Sequence, residues 1–250
     1  MFKEFHHPEI SLIRAFPSIE DTANAVARHL ALLTTDTQAR ITYATGNTMI
    51  PIYDAMNLLI RRGQANLERT HAFHLDEYYP CDPSEAHSFV QFLDKHVFSR
   101  FGMSAIHTLN GTAENPEAEA EKYEQLLQAR PVKVTLLGIG PGGHIGFNEQ
   151  GTPFDSLTHL APLSAETVQR DKERGQTSPD QALTQGIATI LRSKHLLLAA
   201  YGKEKGQILA DALHGEISEN SPASALRTVG QKVSIFVDTD ADEELEKYEQ

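Results

Sequence analysis

Short apolar runs rich in β-branched residues alternate with helix-period segments along nearly the whole chain, and no other feature constrains the fold as much. The strongest run, residues 132–139, is nearly all apolar and empties into Gly138-Ile139-Gly140-Pro141-Gly142-Gly143-His144. A continuous apolar strand belongs at the centre of a parallel sheet, where both faces are buried. Further strands are expected at residues 40–44, 70–75, 106–109, 196–200 and 233–237, with helices at 89–98, 116–129, 182–191 and 207–213. Ser18-Ile19-Glu20-Asp21 reads as a capping box, with Ala23, Val26, Ala27 and Leu30 following at helical spacing. Pro51 suits the first turn of a helix whose inner face is Ile52, Met56, Leu59 and Ile60. Alternation of this kind implies an α/β fold, a mostly parallel sheet with helices on both faces. No linker or repeat divides the chain, so residues 1–250 are read as a single α/β domain.

Composition narrows the function. With 40% hydrophobic and 22% charged residues, the chain has a globular balance, not that of a disordered segment or a fibre. A formal charge of −12 sets it against nucleic acid and anionic lipid, so neither is expected as a partner. A small phosphorylated ligand remains compatible, because a few backbone N–H groups and one Lys reverse the field locally. No run approaches the ~18 apolar residues of a membrane span, and the N-terminus lacks the order of a secretory signal, so a cytoplasmic location is expected. A lone cysteine, Cys81, rules out an internal disulfide and a cysteine-rich zinc site. The acidic C-terminal ADEELEKYEQ reads as a solvated last helix.

In open α/β sheets ligands bind beyond the carboxyl ends of the strands, and three segments fall there. Thr45-Gly46-Asn47-Thr48, between a strand and a helix, is either an anion-binding turn or an ordinary turn with an N-cap. Asp76-Glu77 ends a strand, either as a general base with a neighbour that raises its pKa or as a solvated strand exit. Residues 138–149, GIGPGGHIGFNE, carry five glycines and place His144 five residues before Glu149. The two read as an imidazole oriented by a carboxylate, or as a surface His in a glycine loop. No second His or carboxylate stands at a familiar ligand spacing, so no metal is expected.

ATGNT, HLDEYYP, LNGTAENPEAEAEKYE, LGIGPGGHIGFNEQGTPFDSLTH, ALTQGIATIL and YGKEKGQILADALHG occur in the order seen in the glucosamine-6-phosphate deaminase/isomerase family, which the chain resembles from about residue 40 to 235. The resemblance implies a three-layer Rossmann-like fold shared with ribose-5-phosphate isomerase A and the CoA transferases. It implies isomerisation and deamination of a 2-amino-2-deoxyhexose 6-phosphate, the gluco or galacto epimer, to a ketohexose 6-phosphate and ammonia, by an enzyme that hydrolyses a C–N bond. Asp76 is then the base that moves a proton between C2 and C1, and His144, with Glu149 as its partner, opens the pyranose ring. Thr45, Gly46, Asn47, Thr48 and Lys205 bind the phosphate, and Glu77 and Gly143 complete the substrate site. The chemistry needs no redox cofactor and no metal, and the family allows a homo-oligomer.

Departures from the family pattern are local. Gly142 stands where the family carries an Asp before Gly-His, Asn47 replaces a small residue, and Met49 replaces a Pro. Thr158-His159-Leu160-Ala161-Pro162 lacks the basic residues of the effector segment, so that regulatory site is expected to be missing. Arg170, Lys172 and Arg174 lie near the place of a second phosphate-binding Arg. Two other readings are a 6-phosphogluconolactonase, in which His144 activates water, and a non-catalytic sugar-phosphate sensor, which Gly142 permits.

Overall fold

The computed structural model describes residues 2–35, 38–103, 105–173 and 179–248, with Arg170 and Asp171 described as backbone only. The chain opens with a hairpin of β1 (Lys3–His7) and β2 (Ile10–Phe16), followed by α1 (Ile19–Leu33), β3 (Arg40–Tyr43), α2 (Met49–Arg61), β4 (His71–His74) and β5 (Asp76–Tyr79). Next come α3 (Phe89–Leu93), a π-helical turn over Asp94–Phe98, α4 (Ser99–Phe101), β6 (Ala105–His107), α5 (Pro116–Gln128) and β7 (Val134–Leu137). A 3-10 turn at Pro141–Gly143 leads to β8 (His159–Pro162), α6 (Ala165–Glu173), β9 (Gln181–Thr184), α7 (Ile187–Leu191) and β10 (His195–Ala200). The chain closes with α8 (Gly202–His214), a 3-10 segment at Pro222–Lys232, β11 (Val233–Asp238) and α9 (Thr239–Glu246).

The main sheet runs β1-β2-β11-β10-β7-β3-β4-β6. Every neighbouring pair in it is parallel except the opening hairpin. All four residues of β7 are buried between β10 and β3, as a strand covered on both faces requires. Ser18 caps α1, its hydroxyl accepting from the Asp21 N–H and donating to the Asp21 carboxylate in place of the reciprocal backbone bond of a full capping box, and α1 buries Val26, Ala27 and Leu30. These join Ile52 and Met56 of α2 and Leu136, Leu198 and Ile235 of the sheet in one core. Each of the Val, Leu, Ile and Met side chains contributes ~1.5–3 kcal/mol by leaving water. From β3 the chain runs outward through β4 and β6, then returns to β7 on the other side and continues through β10 and β11. β3 and β7 therefore flank the point where strand order reverses, and the segments that follow them border the crevice where such sheets bind ligands.

A second sheet, β5-β9-β8, is antiparallel and was not expected from the sequence. The strand read as 70–75 ends at His74, and Asp76 is already the first residue of β5, paired with Thr184. The helix expected over residues 182–191 is replaced by β9 and the short α7. Gly186 divides the two: a Cβ there would lie 2.2 Å from the Leu157 carbonyl oxygen and 2.3 Å from that of Ser156, so the backbones meet at contact distance. The helix read over 89–98 instead continues through the π turn to Phe101 and stops at Gly102, which is left-handed. The acidic last helix is solvated on one side only, since Ala241, Asp242, Glu244 and Leu245 of α9 are buried. Among the described residues no helix is long and apolar enough to cross a membrane.

Candidate active site

A cavity of about 590 Å³ opens at the switch point, a volume usual for small-molecule sites. The turn after β3 forms one side of it, with Thr45, Gly46, Asn47 and Thr48 all lining the space. Gly46 has φ +97°, which lets the chain double back onto α2, where the Met49 N–H donates to the Gly46 carbonyl at 3.0 Å. Thr48 precedes the helix but its side chain makes no capping bond, unlike Ser18 of α1. Lys205, in the first turn of α8, lines the same cavity, so the amino-terminal ends of α2 and α8 border it together. Two helix amino-termini and the Lys205 ammonium are the anion-favouring features of this side, and Glu204, which also lines it, lies 4.0 Å from Lys205 Nζ.

Asp76 and His144 line the cavity with them. Asp76 is 5% exposed, and its Oδ1 is buried without a hydrogen-bond partner. Burial, reinforced by the charge of Glu77, pushes its carboxyl up to about 8. A carboxyl tuned in this way takes and returns a proton near neutrality. His144 follows the Pro141–Gly143 turn, and its position depends on Gly140: a Cβ there would lie 1.7 Å from the imidazole Nε2. The ring therefore rests on bare backbone, which only glycine provides.

Three expected site residues have other partners. Glu149 does not line the cavity; it follows the tight turn closed by the Ile145–Asn148 bridge. Its carboxylate accepts from the Ser164 N–H at 2.9 Å and the Thr167 hydroxyl at 2.6 Å, at the start of α6. Those bonds, and not one to His144, are what the structure gives the expected pairing. Glu77 also lies outside the lining; it is 1% exposed and accepts from the Ser88 hydroxyl and the Tyr78, Phe89 and Val90 N–H groups, each at 2.9 Å. It is an acceptor for the amino-terminus of α3, and its pKa is raised by burial, against those bonds. Gly143, at φ +77°, packs under Ser221, whose Oγ would lie 2.8 Å from an added Cβ. It shapes the loop without lining the cavity.

Gly142, at φ +65°, directs a hypothetical Cβ towards the Gln150 side chain, with Nε2 3.0 Å away. Of the basic residues near the expected second phosphate site, Lys172 is exposed on α6, Arg174 lies outside the described residues, and Arg170 is described as backbone only. The sequence reading missed the wall formed by Tyr78, His87 and Phe89. Ring contacts of Tyr78 with His87 (5.6 Å) and Phe89 (4.7 Å) hold it together. Aromatic residues just past the Asp76-Glu77 pair were the available signal. Behind the wall, β5 runs into buried Cys81, whose N–H donates to the Gly111 carbonyl at 2.8 Å.

An anion is favoured on one side of the cavity and a proton can be moved on another, which sets the molecule among the α/β proteins that handle small phosphorylated ligands. Comparison with known proteins narrows this class. The chain belongs to the family of glucosamine-6-phosphate isomerases/6-phosphogluconolactonase, whose sequence profile matches residues 17–235. It is 37% identical over 205 residues to a glucosamine-6-phosphate deaminase of Staphylococcus epidermidis, covering 79% of this chain and 84% of that one. It is 38% identical over 200 residues to the glucosamine-6-phosphate deaminase of Oenococcus oeni, covering 78% and 82%. Among solved structures, a monomeric glucosamine-6-phosphate deaminase superposes with a TM-score of 0.87 at 33% identity, over 92% of this chain and 98% of that one. A 6-phosphogluconolactonase from Shewanella baltica, with a TM-score of 0.71 at 17% identity over 91% and 97%, shares the fold. The Rossmann-like α/β architecture expected from the sequence is thus present.

Proposed function

We propose that this protein isomerises and deaminates a 2-amino-2-deoxyhexose 6-phosphate, hydrolysing its C–N bond to give a ketohexose 6-phosphate and ammonia. The observation that carries this reading is Asp76: a buried carboxyl pushed up to about 8, in the same cavity as His144, the Thr45–Thr48 turn and Lys205. The turn and Lys205 hold the phosphate. His144 exchanges the proton on the ring oxygen as the pyranose opens. Asp76 removes the proton from C2 and delivers it to C1, while a proton passes from the amino nitrogen to O1, leaving a hydroxymethyl group at C1 and an imine at C2. Water adds at that carbon and ammonia departs, so one water is consumed for each C–N bond broken. The substrate's own ammonium, brought beside Asp76, favours the ionised carboxylate and so prepares the base on binding.

The residue set asks for no redox partner, since the hydrogen lost by C2 is regained by C1. Both gluco and galacto epimers satisfy this chemistry. The reading implies a cytoplasmic enzyme working on a small-molecule sugar phosphate. Ammonia release from glucosamine 6-phosphate and galactosamine 6-phosphate tests it, with 6-phosphogluconolactone hydrolysis run alongside. Release from either hexosamine phosphate is expected. Absence of ammonia from both overturns the reading, and lactone hydrolysis in its place assigns the cavity to the other branch of the family.

A further inference from the structure

The two proton-handling side chains of the cavity stand on separate stretches of backbone, Asp76 where the chain passes from one sheet to the other and His144 on the glycine loop after β7. We propose that Gln185 and Asn148 are the positioning residues that hold these stretches in register, an inference that rests on the deaminase reading of the site.

Gln185 follows β9 and is 1% exposed. Its backbone N–H donates to the Leu75 carbonyl at 2.9 Å, and its side-chain Nε2 donates to the His74 carbonyl at 2.8 Å. One residue thus holds both peptide units that precede Asp76. The carbonyl of Gln185 accepts from Asn148 Nδ2 at 2.8 Å, and the same Nδ2 donates to the Ile145 carbonyl at 2.8 Å, next to His144. A continuous path of short, buried bonds therefore runs from the base to the imidazole loop. Thr184, paired with Asp76 across the small sheet, adds a second tie: its hydroxyl accepts from the Phe147 N–H at 3.2 Å.

The loop and the base lie so close that there is little room for a side chain between them. A Cβ on Gly146, at φ +60°, would lie 2.9 Å from the Thr184 hydroxyl oxygen and 3.4 Å from Asp76 Oδ2. Neither Gln185 nor Asn148 lines the cavity, so neither is placed to bind substrate. Their bonds lie inside the protein, where a carbonyl left without its donor is costly and the backbone moves to find another. A displacement of ~1 Å at reacting groups is enough to lower a rate ~100-fold.

Gln185→Met and Asn148→Leu keep size while removing the donors. Each is expected to lower kcat for ammonia release at least about tenfold, with KM and calorimetric binding of fructose 6-phosphate within about twofold of the wild type. Thr184→Val, nearly isosteric, carries the same expectation and keeps the test decisive if one of the others does not fold. A wild-type kcat in the folded variants, or a loss confined to KM, overturns the inference while the deaminase reading stands. A wild-type protein that releases no ammonia from any hexosamine 6-phosphate overturns that reading and, with it, the inference.

Discussion

Asp76 is a carboxyl whose surroundings favour its neutral form, with Oδ1 unpartnered and Glu77 next to it in the chain. Asp76→Asn keeps the shape and removes the titration. It is expected to cost at least the ~10²–10⁴-fold that general-base catalysis supplies, while fructose 6-phosphate still binds; ammonia assays and calorimetry on one preparation check both halves. Gly140 offers a sharper steric test. Gly140→Ala places a methyl group where His144 Nε2 lies, 1.7 Å from its ideal position. The imidazole must leave its place, so kcat is expected to fall about tenfold or more without loss of the anion site. Retention of wild-type turnover by the folded variant would show that the ring's seat is irrelevant to the rate.

At the scale of elements, the amino-termini of α2 and α8 flank one side of the cavity, and Lys205 belongs to the second of them. Lys205→Ala is expected to raise KM ~10–100-fold, the worth of a charge-assisted hydrogen bond. Because the phosphate is remote from the reacting carbons, kcat should change much less, which steady-state kinetics reads directly. α3 supplies another test. Glu77→Gln leaves one acceptor oxygen where two carboxylate oxygens serve four donors. A loss of about 1–3 kcal/mol is expected in denaturant unfolding. The same change removes the like charge beside Asp76, so the base ionises more easily and the pH–rate profile moves to lower pH.

What was legible in the sequence follows from these surroundings. β7, β10 and β11 announce themselves because burial on both faces favours mostly apolar runs, and β3, only RITY, is marked by the small-residue turn that follows it. Asp76, His144 and the Thr45–Thr48 turn were readable as candidates because they follow expected strands, whereas Lys205 came only from the family resemblance, since the expected helix began at residue 207. β5, β8 and β9 were not: DEYY, HLAP and QALT are short, and Gln181 to Leu191 also satisfies a helical period until Gly186 interrupts it. The roles of Glu77 and Glu149 were hidden for another reason. Their partners lie up to 18 residues further along and meet them only through the fold.

The whole molecule carries the consequence of a buried base. Asp76 holds its proton more tightly in the folded protein than in the unfolded chain, where a carboxyl titrates near its ordinary value. Folding stability from this group therefore falls as pH climbs from the ordinary carboxylate range through about 8. Asp76→Asn should flatten that slope and raise Tm at pH 8 relative to the wild type, which thermal melts from pH 5 to 9 measure. Cys81 has a different use. It is the chain's one cysteine, buried behind the Tyr78 wall, with a thiol pushed up to about 12 chiefly by burial. Thiolate is the reactive form, so in the closed protein it is both scarce and shielded. Alkylation by iodoacetamide should therefore proceed far more slowly than for a free thiol, each event marking one escape of this segment from its packing. The protein carries its own stopwatch: a ligand that holds the wall shut should lengthen the labelling half-life, with no dye or engineered probe attached.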